Sequence, residues 1–439
     1  MNKTKKFIPH ILGVCSAVFL GVSIFAYTQI PVLEQKIVDK QESKKKIDSY
    51  LLQEHSSFVQ NEKALEALNK PEESNDGVSY SYRTPEGFEM ISYSQKWNQN
   101  KLIELYEELK QNKHGEEIGL LYQVIVYGEH SELASGMHSN ERKVLYLELD
   151  FPAIAKGEIK YYLDMGTIEL YGGDTYTRVE QMAHTLSHEY GHHFTMYYFF
   201  NNGDAIRGSK YEEVRNLEGY DIRYDWWEDP DDYVKNHHWY IVEIAAEDYV
   251  QILGSPTAKK VTNYKDVRQV LYGAKFSDEY NSGNGTPQEN LMIPLAIEVD
   301  GLYNLFYQEI KDDYPPAPIL HEKKEIKIEI TSGTSSHESV KGQISFKHYR
   351  ITWNDAYAGE GAIYTLVCYD ESDYFIYPIK TVHSGDSMQA YIGTVSRETS
   401  TMIYWQYDEL DKGTKTFVVT VLFPDGTMRV SDPMTYTFK

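Results

Sequence analysis

The stretch VEQMAHTLSHEYGHHFTMYY, residues 179–198, decides the fold of this chain. Its apolar residues recur every three or four positions, which predicts an amphipathic helix with one face in a core. Those residues are Val179, Met182, Leu186 and Tyr190. His188 and His192 are one turn apart, so both imidazoles project from the other face. The stretch therefore predicts a helix that presents two histidines to a cleft.

The pattern His188-Glu189-Tyr190-Gly191-His192 has the spacing of a zinc site on a helix. Both imidazoles reach one ion, and Glu189 lies beside them, where it can take a proton from a bound water. A catalytic zinc needs a third protein ligand and one open position. Glu243 and Glu247 lie one turn apart in a second helical pattern, residues 239–253, and either one supplies that ligand. We therefore expect one zinc ion per chain.

The HExxH pattern and the later segment Glu243-Ile244-Ala245-Ala246-Glu247-Asp248-Tyr249 together resemble the gluzincin metallopeptidases. The resemblance covers roughly residues 159–254 and is greatest to small-domain bacterial members and the toxin lethal-factor type. It implies an α+β zincin-like catalytic domain with a mixed sheet, an edge strand, an HExxH helix and a Glu helix. It also implies that Glu243 binds zinc, that Glu247 orients a ligand histidine, and that Glu189 is the general base of a metalloendopeptidase.

Residues 166–173 have the pattern of a strand that ends in a turn, just before the HExxH helix. This segment is our candidate for the edge strand that receives an extended peptide substrate. The oxyanion of the reaction needs a donor besides zinc, and three candidates lie just upstream of the second helix. These candidates are Tyr240, His237 and His238. The sequence does not choose among them, and the start of a packed helix is the alternative interpretation.

The N-terminus has a membrane-spanning pattern, because residues 7–26 contain no formal charge and follow three lysines. That length spans a bilayer, and the basic residues place the remainder of the chain outside the cytoplasm. We expect a cytoplasmic tail (1–6) and a transmembrane helix or signal anchor (7–27), which make a single-pass cell-membrane protein with an extracytoplasmic bulk. A cleaved signal peptide, which would give a secreted protein, is the alternative.

Changes in pattern divide the remainder into three parts. Residues 28–77 are charged with thinly spread apolar positions, which predicts a helical stalk. Residues 78–322 mix helix and strand patterns and form the predicted zinc metallopeptidase domain, within which Gln288–Ala296 predicts an apolar core helix. Residues 323–439 alternate apolar and polar side chains between turns, which predicts an all-β sandwich. Their strands resemble a fibronectin type III domain in pattern.

Composition narrows the partners of the chain. Its 43 basic and 66 acidic side chains give a formal net charge of -23, which argues against nucleic acid as a partner. We expect a protein or peptide substrate, and contact with the membrane through the N-terminal helix alone. Two cysteines, Cys15 and Cys368, are too few for a disulfide framework or a Cys-based zinc site. Any metal must therefore be held by histidine and carboxylate.

Two other functions remain open from the sequence. A surface adhesion or scaffolding protein would bind through the sandwich and use the metal structurally, but a structural site needs no general base such as Glu189. A peptidase acting on cross-linked cell-wall peptide, rather than on protein, would use the same residues. The sequence also leaves the oligomeric state and the role of the sandwich open.

Overall fold

The structure, a computed structural model, describes residues 77–131, 134–149, 157–200, 206–224, 230–260, 286–310, 315–339, 342–370, 376–393, 395–398, 403–406 and 410–438. The predicted tail, membrane helix and stalk lie outside these ranges, apart from Gly77. Among the described helices, none combines the length and the apolar character that crossing a membrane requires. Residues 74–84 and 88–439 belong to one compact unit, which contains all the elements named below.

A mixed β-sheet forms the first layer. Its strands are β1 (Tyr80–Arg83), β2 (Glu89–Ser92), β3 (Leu121–Val126), β4 (Gly136–Leu149) and β5 (Gly157–Leu170), in the order β1-β2-β3-β5-β4. Strands β2, β3 and β5 are parallel, whereas β1 and β4 are antiparallel to their neighbours. The prediction that residues 166–173 form the edge strand is wrong, because this part of β5 pairs with β3 on one side and β4 on the other. Among the described strands, the edges of this sheet are β1 and β4. Periodicity within one segment does not reveal its pairing partners, so the sequence pattern could not identify the edge.

Helices pack beside this sheet. They are α1 (Gln99–Gln111), α2 (Val179–Tyr198), α3 (Lys210–Arg215), α4 (Pro230–Asn236), α5 (Ile241–Leu253) and α6 (Leu302–Ile310), with 3-10 turns at Glu116–Leu120, His237–Trp239 and Ala296–Glu298. The apolar stripe predicted on α2 is packed inward: Met182, Leu186 and Tyr190 are buried in one core with residues of α1, β3, α5 and α6. This shared core fixes α2 and α5 against each other.

The segment 288–296 is not the apolar helix that its sequence predicts. It runs through bends and turns and forms only the short 3-10 turn at its end. The Gln288 side-chain amide donates to the carbonyls of Asn290 and Ile293, at 2.5 and 3.2 Å. Pro294 has no N–H to donate, which further disfavours a helix. Side-chain hydrogen bonds therefore satisfy backbone groups here that a helix would have paired.

Antiparallel strands make up the C-terminal region. They are β6 (Ile328–Ser339), β7 (Gly342–Trp353), β8 (Ile363–Asp370), β9 (Ile376–His383), β10 (Gln389–Gly393), β11 (Val395–Glu398), β12 (Ile403–Gln406), β13 (Thr414–Leu422), β14 (Met428–Val430) and β15 (Met434–Thr437). One sheet has the order β10-β7-β6 and another the order β14-β13-β8-β9, with β15 also on β13 and β11 paired to β12. Ile351, Leu366 and Val419 represent a core to which both larger sheets contribute. We call β6–β15 the C-terminal sheets. The protein is thus α+β, with several β-sheets.

Candidate metal centre

Helices α2 and α5 bring three metal-binding side chains together. His188 and His192 lie on α2, and Glu243 lies in the first turn of α5. The two Nε2 atoms are 3.1 and 3.2 Å from Glu243 Oε2, and the three ligand atoms lie within 4.8 Å of one another. Ligands of a tetrahedral zinc ion stand about 3.3 Å apart when its bonds are near 2.0 Å. The three predicted ligands are therefore close enough to hold one metal ion.

Gly191 allows the two helices to approach this closely. A Cβ atom at this position would lie 2.8 Å from the carbonyl oxygen of Ala246 and 3.0 Å from its Cα. Both contacts are with backbone, which cannot yield unless α5 shifts. The glycine inside the HExxH pattern thus sets the separation of the helices that carry His192 and Glu243.

Negative charge is concentrated at this centre. Glu189, Glu243 and Glu247 are exposed by only 6%, 2% and 6%. Burial raises the pKa of Glu189, because its surroundings solvate the charged form poorly. Burial acts in the same direction on Glu243, but the imidazoles of His192 and His237 outweigh it and hold the pKa of Glu243 well below its usual range. Buried carboxylates need positive charge nearby, so the centre favours a bound cation.

Glu247 fixes the orientation of His188. The Nδ1 atom of His188 lies 2.9 Å from Glu247 Oε1, and this nitrogen carries a proton because a carboxylate can only accept. The Nε2 atom of the same ring is left to face Glu243. His184, one turn earlier on α2, places its Nε2 atom 3.5 Å from the same oxygen of Glu247. The sequence indicates no role for His184, yet it shares this carboxylate with a candidate ligand.

Glu189 lies between α2 and the edge strand β4. A Cβ atom at Gly136, the first residue of β4, would lie 2.7 Å from Glu189 Oε1. A glycine at this position therefore leaves the room that the carboxylate needs beside the strand. The next residue, Met137, is 47% exposed, so solvent reaches the strand here. The candidate base, Glu189, is therefore adjacent to Gly136 at the start of β4.

Of the three candidate oxyanion donors, His237 places a ring nitrogen next to a metal-binding residue. Its Nε2 atom lies 3.2 Å from Glu243 Oε2, and its Nδ1 atom lies 2.8 Å from Glu289 Oε2. The ring is 35% exposed and can therefore be reached by a substrate. The Glu289 carboxylate thus holds Nδ1 of His237, and Nε2 of the same ring faces the metal centre.

The other two candidates are engaged elsewhere. The Tyr240 hydroxyl donates to Asp232 at 2.8 Å, and the ring is buried at the start of α5. The His238 ring packs against Trp239 and Tyr369, with centroid distances of 5.5 and 6.1 Å. For Tyr240, the geometry fits the alternative interpretation, a packed helix start.

Sequence reasoning missed Tyr233 and Glu289. The Tyr233 hydroxyl donates to Glu243 Oε1 at 2.5 Å, and its ring centroid lies 5.0 Å from that of His237. Burial and the Glu243 carboxylate raise the pKa of Tyr233, so its hydroxyl keeps its proton. Tyr233 lies four residues before His237, about one helical turn, and this spacing could have indicated that the two side chains are neighbours. Glu289 is 52 residues away from His237 in sequence, and no local pattern could have found it.

Comparison with protein-family models, with curated proteins and with solved structures gives no match for this chain. Within the described residues, two triplets of side chains are close enough to hold a metal: His188 with His192 and Glu243, and His184 with His188 and Glu247. They share His188 and would use opposite nitrogens of its ring. The chemistry of the centre has to be inferred from these residues themselves.

Proposed function

We propose that this chain is a zinc metalloendopeptidase of gluzincin type. The observation that carries the proposal is the convergence of His188, His192 and Glu243 next to the buried carboxylate of Glu189. A structural metal site needs ligands but no general base, so Glu189 would serve no purpose in one. Three protein ligands, rather than four, also leave a position for water and substrate.

Zinc is the metal that this donor set favours. Two imidazoles and one carboxylate are a usual set for catalytic zinc, whereas magnesium and calcium prefer oxygen ligands alone. The hydrogen bond from His188 to Glu247 supports this assignment, because a carboxylate behind a ligand histidine fixes its tautomer and raises its basicity. When bound, zinc lowers the pKa of a coordinated water and polarises a substrate carbonyl.

Glu189 moves the proton in the proposed reaction. Burial raises the pKa of Glu189. A raised pKa makes a carboxylate a better acceptor of the proton from water, which it then returns to a leaving amine. His237 and Tyr233 carry N–H and O–H groups that face Glu243. In the proposed reaction they donate to the negative charge that develops on the carbonyl oxygen in place of Glu243. Glu289 holds the His237 ring in place through Nδ1.

The substrate is a protein or peptide chain in extended conformation. Among the described strands, β4 pairs with β5 alone, and its outer side supports the addition of a further strand. A peptide lying there passes Glu189, because Gly136 is adjacent to that carboxylate. The net charge of -23 also disfavours nucleic acid as the substrate.

We further propose that residues 7–27 anchor the enzyme in the cell membrane, with the catalytic region outside the cytoplasm. The uncharged run in this segment and the preceding lysines support that orientation. Cleavage after the segment would instead give a secreted enzyme. The alternating pattern of residues 323–439 supports a fibronectin type III-like fold for the C-terminal sheets.

The test is cleavage of an unbiased peptide library by the full chain in detergent, before and after removal of metal. Cleavage that is lost with a chelator and restored by zinc supports the proposal. Zinc binding at one ion per chain without any cleavage favours a structural metal site, as in an adhesion or scaffolding protein. A chain that binds no zinc contradicts the proposal.

A further inference from the structure

One tyrosine of the C-terminal sheets holds the backbone of a segment that belongs to the metal centre. Tyr369, on β8, is 5% exposed, and its hydroxyl makes two hydrogen bonds. It donates to the Glu289 carbonyl and accepts from the Leu291 N–H, both at 2.8 Å. The two bonds bracket Asn290 and so fix the backbone on either side of it. A single hydroxyl therefore contributes two hydrogen bonds that hold the backbone at Glu289.

Glu289, whose carbonyl accepts from Tyr369, has its side chain at the centre. Glu289 Oε2 lies 2.8 Å from Nδ1 of His237, whose Nε2 atom lies 3.2 Å from Glu243. The side chain of Asn290 also donates to the carbonyl of His238, at 3.0 Å. Because this segment has no helical hydrogen bonds of its own at residues 288–291, its position depends on such contacts.

The face of the C-terminal sheets that carries Tyr369 is buried against this same segment. Leu291 and Leu295 form one apolar cluster with residues from β8, β13 and β14, which are Val367, Tyr369, Val418, Met428 and Val430. At the rim, Arg429 Nη1 lies 2.7 Å from Glu298 Oε1, and both side chains are largely buried. This face is therefore covered by the segment 286–298, so it is not an open surface for binding a separate partner.

We propose that Tyr369 is a positioning residue for the peptidase reaction, and that the C-terminal sheets are a structural part of the active site. The chain of contacts runs from the Tyr369 hydroxyl to the Glu289 backbone, then from the Glu289 carboxylate to the His237 ring. The Tyr369 hydroxyl thus reaches the centre through Glu289. This inference rests on the function proposed above.

The experiment compares Tyr369→Phe with Tyr364→Phe in the full chain. Tyr364 lies on the same strand, is fully buried, and its hydroxyl likewise donates to one group, Asp355, and accepts from a backbone N–H, that of Tyr357. Both variants keep the ring and lose two hydrogen bonds. We expect Tyr369→Phe to lower kcat about tenfold with KM and zinc content nearly unchanged, since carboxylates that orient active-site imidazoles have effects of about this size. We expect Tyr364→Phe to keep the kcat of the parent chain.

A double-mutant cycle with Glu289→Gln separates positioning from general weakening of the fold. If Tyr369 acts through Glu289, the double variant has the kcat of Glu289→Gln alone, whereas independent effects multiply. Multiplying effects, or equal losses in Tyr369→Phe and Tyr364→Phe, overturn the inference while the peptidase assignment stands. If the parent chain itself cleaves nothing, the proposed function fails first and this inference fails with it.

Discussion

Glu243 and Glu247, one turn apart on α5, contact opposite nitrogens of the His188 ring. Glu243 Oε2 faces Nε2 at 3.1 Å, and Glu247 Oε1 faces Nδ1 at 2.9 Å. The two carboxylates therefore make different contacts, although the sequence pattern alone allowed either one to be the metal ligand. In the proposed site, Glu243 binds the metal and Glu247 holds the ligand histidine.

This difference predicts unequal effects on zinc affinity. We expect Glu247→Gln to weaken zinc binding about tenfold, because the amide oxygen still accepts from Nδ1 but without charge. We expect Glu243→Ala to weaken it much more, because a metal ligand is lost. Competition with a chelator of known affinity measures both variants. Equal losses, or a larger loss in Glu247→Gln, would show that the two roles are reversed or shared.

Gly191 should not tolerate a methyl group. Helix propensity alone favours alanine over glycine by up to about 1 kcal/mol. The added Cβ of Gly191→Ala would meet the Ala246 backbone at 2.8 Å, and overpacking of this kind costs roughly 1–3 kcal/mol. We expect a lower melting temperature and weaker zinc binding, because the two helices must separate. Gly77→Ala, where nothing lies within 4 Å, is the control and should leave both unchanged. A stabilised Gly191→Ala would mean that the helices are not this close.

Tyr233→Phe should lower kcat, because it removes an O–H group next to Glu243. Loss of one oxyanion donor reduces kcat by roughly 100-fold or more in other hydrolases. Tyr240→Phe is the matched control, since its hydroxyl donates to Asp232 instead. Steady-state kinetics and zinc content of both variants provide the measurement. If Tyr240→Phe loses more activity than Tyr233→Phe, the assignment of the donor is wrong.

His193 should make the fold sensitive to acid. Its buried Nε2–H donates to the Glu117 carbonyl at 2.8 Å, and burial lowers the pKa of His193 from 6.5 to about 4. The unfolded chain therefore binds this proton at a higher pH than the folded chain does. The free energy of unfolding should fall as pH decreases from about 6.5 to about 4, by roughly 3 kcal/mol for this residue.

Replacing His193 tests this directly. His193→Gln keeps an N–H donor for the Glu117 carbonyl and removes the titration. Denaturant unfolding at pH 7 and at pH 4.5 should show a smaller difference in the variant than in the parent chain. An identical difference would mean that His193 does not carry this part of the acid sensitivity.

Local periodicity explains why the sequence located the helices of the centre. The stripe of Met182, Leu186 and Tyr190 indicates both the helix and the face on which His188 lies. The one-turn spacing of Glu243 and Glu247 indicates that both carboxylates lie on one face of α5. A periodic pattern describes a single helix or strand. The two histidines lie on α2 and the two glutamates on α5, so the pattern was sufficient to identify each pair.

Features that depend on pairing between distant segments were not predictable in this way. The segment predicted at the edge of the sheet lies in β5, an interior strand, whereas β4 lies at the edge. Strand order is set by partners far apart in the chain, which a local pattern does not report. Glu289 reaches His237 across 52 residues, through a segment whose sequence pattern predicts a helix that does not form. Side-chain hydrogen bonds of Gln288 determined its backbone, and these have no periodic signature.

The most direct test of the central claim is zinc content and kcat measured together for Glu189→Gln. Glu180→Gln is the control, an exposed acid at the start of the same helix. We predict that Glu189→Gln retains about one zinc ion per chain and loses nearly all cleavage, whereas Glu180→Gln matches the parent chain in both. If Glu189→Gln cleaves peptides at the rate of the parent chain, Glu189 is not the general base and the account is wrong.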